Sequence, residues 1–239
     1  VNVDGMLPQA PTSDTTGWFA RDAATFANVS EVMLGAAVGN VMAKRLVVAV
    51  DAFGFADENV RAALGPMVQR LGRIVGEVRE EPLAPQGLSV WARAQRTLQP
   101  WEAWLTFKDW IEQVNPSFAF MVARGLVAGA ALAESERRWA NLMRAEARAR
   151  LAHLTHDDTI VCMPTTPCIA PLKGLPTPEL DGVRERITCL AAHGGLAGHP
   201  QVSLPGAIAD GAPVGLSIIG ARGSDTLLVA IAKAMEAAR

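Results

Sequence analysis

A run of five apolar residues, Leu46 to Val50 (LVVAV), does most to limit the fold of this chain. It has the length of a strand and no polar alternation, so both of its faces must be covered, as in a parallel strand inside a sheet. The next segment, Asp57 to Gly72 (DENVRAALGPMVQRLG), puts Val60, Leu64, Val68 and Leu71 on one helical face, and Gly72 is expected to stop it. Arg73 to Arg79 (RIVGEVR) then alternates apolar and polar residues, which predicts a second strand. Strand, helix and strand in that order over about 46–79 make a β-α-β unit, and with it an α/β fold with helices packed on a sheet.

The rest of the chain fits around that unit. Residues 1–17 are rich in Gly, Pro, Ser and Thr and read as a loop with one short strand. A helix follows from about Ala20 to Leu34, with Asp22 as its N-cap. The section from about 88 to 155 is helical and carries Trp91, Trp101, Trp104 and Trp110. Its last helix, about Glu134 to Leu154, interleaves Arg137, Arg138, Arg144 and Arg148 with Glu134, Glu136 and Glu146, the pattern of a solvated, ion-paired surface. Sheet signals return at Thr159 to Met163 (TIVCM). A Pro-rich loop at 174–181 and a helix at 184–193 come next. Two strands, Gln201 to Leu204 and Val214 to Ile219, flank the turn dipeptide Asp210-Gly211, and a closing helix spans Thr226 to Ala238. One α/β domain with a helical insertion accounts for all 239 residues.

Composition narrows the function. With 22 Lys+Arg against 24 Asp+Glu there is no basic field to attract nucleic acid. No stretch of about 18 apolar residues exists to span a membrane, and no basic-plus-apolar leader is visible, so a cytoplasmic protein is expected. Cys162, Cys168 and Cys189 contain no CxxC pair and fit reduced, buried thiols. A P-loop, GxGxxG, GxSxG and HExxH are all absent from the sequence, so neither a cofactor nor a metal is expected. His153 and His156 are spaced i, i+3 beside Asp157 and Asp158, which is short of a metal-ligand set. Ser203 and His199 are close in sequence, but a catalytic triad is assembled in space and this spacing alone gives none.

Three ordered segments carry a resemblance. Asp4 to Asp22 (DGMLPQAPTSDTTGWFARD) resembles the G-x-x-P-x-A-P-S-x-D-x-x-G-x-x-A-R pattern of the amidase signature family. Ile160 to Pro171 (IVCMPTTPCIAP) is similar to that family's late strand ending in P-T-x-P-x-x-A-P. Gly198 to Pro205 and Asp210 to Gly220 look like its closing hairpin, and Glu102 to Glu112 looks like a bacterial and plant branch. One departure is local: the family's Pro-x-Gly is here Pro205-Gly206-Ala207.

The resemblance implies a mixed β-sheet core flanked by helices, of which residues 1–239 form the C-terminal portion of a single amidase domain, about three-fifths of it. It also implies hydrolysis of a carboxamide by a Ser–cis-Ser–Lys triad. In the family that triad lies in and before a Gly/Ser-rich run, where glycines let backbone N–H groups reach the developing oxyanion. None of the eight serines here lies in such a run, and none of the four lysines precedes one, so no catalytic residue is expected. By the resemblance Thr165, Thr166, Cys189, His193 and Trp104 are expected to line or cover the substrate cleft, while Asp14 and Arg21 hold the first loop. The implied partners are a small-molecule amide and the missing N-terminal half, with neither nucleic acid nor membrane, and a homodimer is compatible. Two alternatives stay open: a non-catalytic, degenerate amidase-like subunit, and a fragment of an amidotransferase A-type subunit.

Overall fold

The computed structural model describes residues 3–40 and 42–238. Its β-α-β unit consists of β1 (Arg45–Ala49), a short helix α2 (Val50–Phe55), the long helix α3 (Glu58–Val75) and β2 (Glu77–Glu81). The helices α4 (Leu88–Val114), α5 (Phe120–Ala130) and α6 (Glu134–Leu154) make the insertion. β3 (Thr159–Pro164), α7 (Thr177–Ala197), the hairpin β4 (Gln201–Ala209) and β5 (Ala212–Ile219), and α8 (Asp225–Ala237) complete the chain. Before β1 lies α1 (Ala23–Leu34), where the Asp22 side chain accepts from the Thr25 amide as an N-cap.

The five strands form one mixed sheet in the order β2-β1-β3-β5-β4. β1 runs parallel to both β2 and β3, with Leu46 opposite Val78 on one side and Ile160 on the other. β5 is antiparallel to β3 and to β4. Alternation sorts the strand residues into two cores. Val47, Ala49, Val161, Met163 and Ile219 face α4, α6 and α7, together with Trp91, Leu98, Leu151 and Leu190. Leu46, Ile160, Cys162, Leu216 and Ile218 face α3 and α8, together with Leu64, Leu71, Leu228 and Ile231. Leu46, Val47 and Ala49 of the apolar run are therefore buried on alternate faces of the sheet, while Val50 already belongs to α2 and is 39% exposed; each buried Leu or Ile contributes about 1.5–3 kcal/mol.

Several boundaries differ from expectation. α3 does not stop at Gly72, which is helical and close-packed, 3.1 Å from the Val78 Cγ2 to where a Cβ would lie. The helix continues through Ile74 and Val75, which pack on the core, and ends at Gly76, whose φ of 98° few other residues adopt. The strand expected at 73–79 is consequently β2 at 77–81, a charged, exposed edge. No strand forms in residues 3–17; Val1 and Asn2 lie outside the described residues. α7 begins at Thr177, inside the expected Pro-rich loop, and is twice as long as the 184–193 reading, because Pro176 and Pro178 suit the cap and first turn of a helix. β4 continues to Ala209 through a bulge between Pro205 and Ala207. Gly206 sits there with a φ of 148°, which gives the shifted glycine its physical reason.

The tryptophans of the helical section lie in different surroundings. Trp91 is in the core and donates to Glu146 Oε2 at 2.6 Å, while Trp101 lies under the Arg137 guanidinium and Trp110 packs edge-on against Phe118. Nor is the arginine-rich helix solvated all round, since Arg144 is buried.

Candidate functional site

The site begins where β3 ends. The Thr165 amide donates to Gly215 O at 2.9 Å, which extends the β3–β5 pairing by one residue and fixes Thr165 over the hairpin. Ser203 stands opposite Ser217 in the β4–β5 register, and Gln201 lies two residues back on the Ser203 face. The Thr165 hydroxyl is 2.8 Å from Ser203 Oγ and 2.9 Å from Ser217 Oγ. Gln201 Nε2 donates to Ser217 Oγ at 2.8 Å, and its Oε1 is 2.8 Å from His193 Nε2. An amide oxygen only accepts, so His193 carries its proton on Nε2. One direction then uses each hydroxyl once as acceptor and once as donor: His193 to Gln201 to Ser217 to Thr165 to Ser203. It leaves the Ser203 proton free for an incoming acceptor.

His193 is fully buried on α7. Burial, only partly offset by its bonds to Gln201 and the Leu190 backbone, pushes its pKa down to about 4, so the ring is neutral at physiological pH. Its Nδ1 makes no well-aligned hydrogen bond among the described residues. The Gln201 carboxamide separates this ring from the hydroxyls, and among the described residues Ser203 hydrogen-bonds only the Thr165 hydroxyl, not a base. The arrangement orients a hydrogen-bond donor; it does not activate a nucleophile.

Ser203, Gln201 and Gly215 border a cleft of about 660 Å³ whose other walls include Trp18, Phe26, Met67, Val214 and Met235, with Arg21, Arg70 and Glu236 among its charged groups. Of the residues expected at a cleft, the structure joins Thr165 and His193 in one hydrogen-bonded chain. Thr166 instead donates to Cys168 O at 3.0 Å, closing its own turn. Cys189 is buried one helical turn before His193, and burial raises its thiol pKa. Trp104 is half-buried on α4 and borders neither the hydroxyl chain nor this cleft. Cys162 is also inert, with burial pushing its thiol up to about 12. Among the described residues no group of three His, Cys, Asp or Glu is placed to hold a metal. The sequence reading did not single out Ser217 or Gln201. Their signal was a polar side chain on an otherwise apolar strand face, as in VGLSII.

A second polar seam fixes the first loop to the helical layer. Asp14 Oδ2 accepts from the Gln9 and Ala10 amides at 2.8 and 3.0 Å, as a loop-holding residue should. Arg21 pairs with Asp22 at the surface, 3.0 Å away. Buried Glu102 on α4 accepts from the Thr12 amide at 2.9 Å and from the Thr12 hydroxyl, and pairs with buried Arg144 at 2.9 Å. Burial alone would raise the Glu102 pKa, but the Thr12 hydroxyl, the Arg144 guanidinium and the Thr12 amide together hold it below the usual range.

The described residues thus combine a mixed five-stranded sheet wrapped by helices, the APTSD loop sealed to the helical layer, and a Pro-Thr strand end over a closing hairpin. No family model matches the chain. Amidase 1 of Oryza sativa subsp. japonica is 26% identical over 257 aligned residues, covering 96% of this chain and 59% of that protein. A solved amidase crystal structure, 26% identical, superposes with a TM-score of 0.83 over 99% of this chain and 56% of its own. A bacterial aryl acylamidase of the amidase signature enzymes, 17% identical, shares the fold with a TM-score of 0.67 over 83% of this chain and 44% of its own. The chain has the amidase signature fold and matches the C-terminal portion of that family's enzymes, spanning about three-fifths of the length of the curated relative above.

Proposed function

We propose that this chain forms the C-terminal, cleft-building part of an amidase that hydrolyses a small carboxamide, with the catalytic serines and lysine supplied by an N-terminal half. The observation that carries this reading is the near-complete coverage of residues 1–239 by an amidase structure of which they occupy 56%. The sequence 1–239 contains no Gly/Ser-rich run, and Ser203 hydrogen-bonds the Thr165 hydroxyl, not a base. In this reading Thr165 and His193 support the cleft wall, Ser203 donates to the substrate, and Thr166, Cys189 and Trp104 lie in the layers behind it. The substrate is a small-molecule amide, and ammonia leaves to water; transfer to an acceptor would mark the amidotransferase alternative.

Purified residues 1–239 are expected to be inactive on benzamide and acetamide, and the same chain fused to a segment bearing the Gly/Ser-rich run is expected to release ammonia. Turnover by residues 1–239 alone, abolished by Ser203→Ala, would overturn the reading. The non-catalytic alternative wins if the fused protein binds benzamide without hydrolysing it. No described helix is long and apolar enough to cross a membrane. A cytoplasmic location belongs to the same proposal, and sedimentation with a membrane fraction would contradict it.

A further inference from the structure

A second cavity, of about 720 Å³, lies at the opposite end of β3. Thr159, the first residue of β3, lines it, whereas Thr165 lies beyond the last, roughly 20 Å away at the usual strand rise. Its walls come from the end of α6 (Arg148, Ala152), the α7–β4 loop (His199) and the β5–α8 connection (Ala221, Arg222), with Leu227 beneath.

Two arginines, Arg148 and Arg222, and two carboxylates, Asp157 and Asp158, line the cavity. Arg144, Arg148 and Arg222 act on one another's neighbourhood with Glu102 as the carboxylate among them. Glu102 is already committed to Arg144 and Thr12. Arg148 Nε donates to Leu196 O at 3.0 Å, and Arg222 donates Nε, at 3.1 Å, and Nη2 to Ala197 O. These carbonyls end α7, a place that favours cations. They explain why the two side chains sit where they do, but they leave both Nη groups of Arg148 and Nη1 of Arg222 without a protein acceptor among the described residues. The cavity's acidic residues are occupied elsewhere: Asp157 pairs with Arg45 at 3.4 Å and Asp158 with Lys44 at 2.8 Å. His199 is 9% exposed, the Ala197 backbone interacts with its ring, and its buried Nδ1 makes no well-aligned hydrogen bond among the described residues. Guanidinium donors free of protein acceptors in a concave, partly apolar place are what an oxyanion can take up.

We propose that this cavity binds a small organic carboxylate, with its oxygens on Arg148, Arg222 and His199 Nδ1 and its apolar body against Ala152, Ala221 and Leu227. Alanine and leucine walls suit a molecule with a hydrocarbon part, and Asp157 and Asp158 disfavour a doubly charged phosphate. The site is separate from the hydroxyl chain and independent of the amide-hydrolysis reading.

Calorimetric titration of the full-length protein with benzoate and with inorganic phosphate tests it. Benzoate is expected to bind saturably, to weaken at least about tenfold in both Arg148→Gln and Arg222→Gln, and to bind Ser203→Ala unchanged. Phosphate is expected to bind more weakly than benzoate. Arg148 makes one hydrogen bond to the fold, so Arg148→Gln decides the matter if Arg222→Gln unfolds. No saturable benzoate binding, unchanged affinity in Arg148→Gln, loss in Ser203→Ala, or tighter binding of phosphate would each overturn the proposal.

Discussion

His193 shows how one buried side chain links the site to stability. Its ring is neutral in the folded protein, with a pKa pushed down to about 4, against about 6.5 in an unfolded chain. Between those values the unfolded state binds a proton that the folded state does not, so stability is full above the upper value and falls as pH drops through the window. The loss is on the order of 3 kcal/mol at the bottom of it. Urea midpoints measured at neutral pH and near pH 4.5 are expected to differ strongly in the native protein. They should differ much less in His193→Gln, which keeps a donor toward Gln201. An equal pH slope in both proteins would refute this account. His199, held down by burial and by Arg222, leaves a residual slope of the same sign. At this scale the sequence was partly legible. Thr165 and His193 were placed near a cleft by resemblance, but that they share a hydrogen-bonded chain depends on the β4–β5 register, which no local pattern encodes. The burial of Arg144 was illegible for a related reason: its partner, Glu102, is 42 residues away on another helix.

Among the elements, α4 and α5 meet backbone to backbone at one point. Pro100 lies inside α4 and removes one intrahelical donor, leaving the Arg96 carbonyl without its usual bond. Gly129 of α5 packs onto this turn: a Cβ added there would meet Pro100 O, lie 2.6 Å from Pro100 C and 3.1 Å from Trp101 N. The obstacle is backbone, which cannot swing aside. Gly129→Ala is therefore expected to cost about 1–3 kcal/mol through overpacking, despite alanine's better helix propensity. At about 2–4 °C per kcal/mol for a chain of this size, calorimetry should register a fall in Tm of several degrees. An unchanged or raised Tm would mean that α5 can slide away from α4. Element type was largely readable, because Val60, Leu64 and Leu71 advertise a helix wherever it ends. Element ends were less so. Gly72 looks like a stop and is instead a close contact with Val78 on the neighbouring strand, so a tertiary contact rather than a local rule set the boundary.

At the scale of the whole molecule, the sheet has two edges that are treated differently. β2 presents Glu77, Arg79, Glu80 and Glu81, charges of the kind that block edge-to-edge pairing. β4, at the other edge, carries Ile208 at 65% exposure, and its bulge bends the strand without covering it. Large apolar side chains elsewhere are also in solvent, Phe19 fully and Leu7 at 80%. This combination of an uncharged edge with scattered apolar surface favours association of residues 1–239 with a second copy or with any segment that can pair along β4. Sedimentation velocity over a wide concentration range is expected to show reversible self-association of residues 1–239, and Ile208→Lys is expected to shift the population toward monomer, because a lysine on the edge must be desolvated for another strand to dock. A monomer at every concentration would sink the argument, as would unchanged association in Ile208→Lys, which would place the contact on the apolar loop around Leu7 and Phe19 instead of on the sheet.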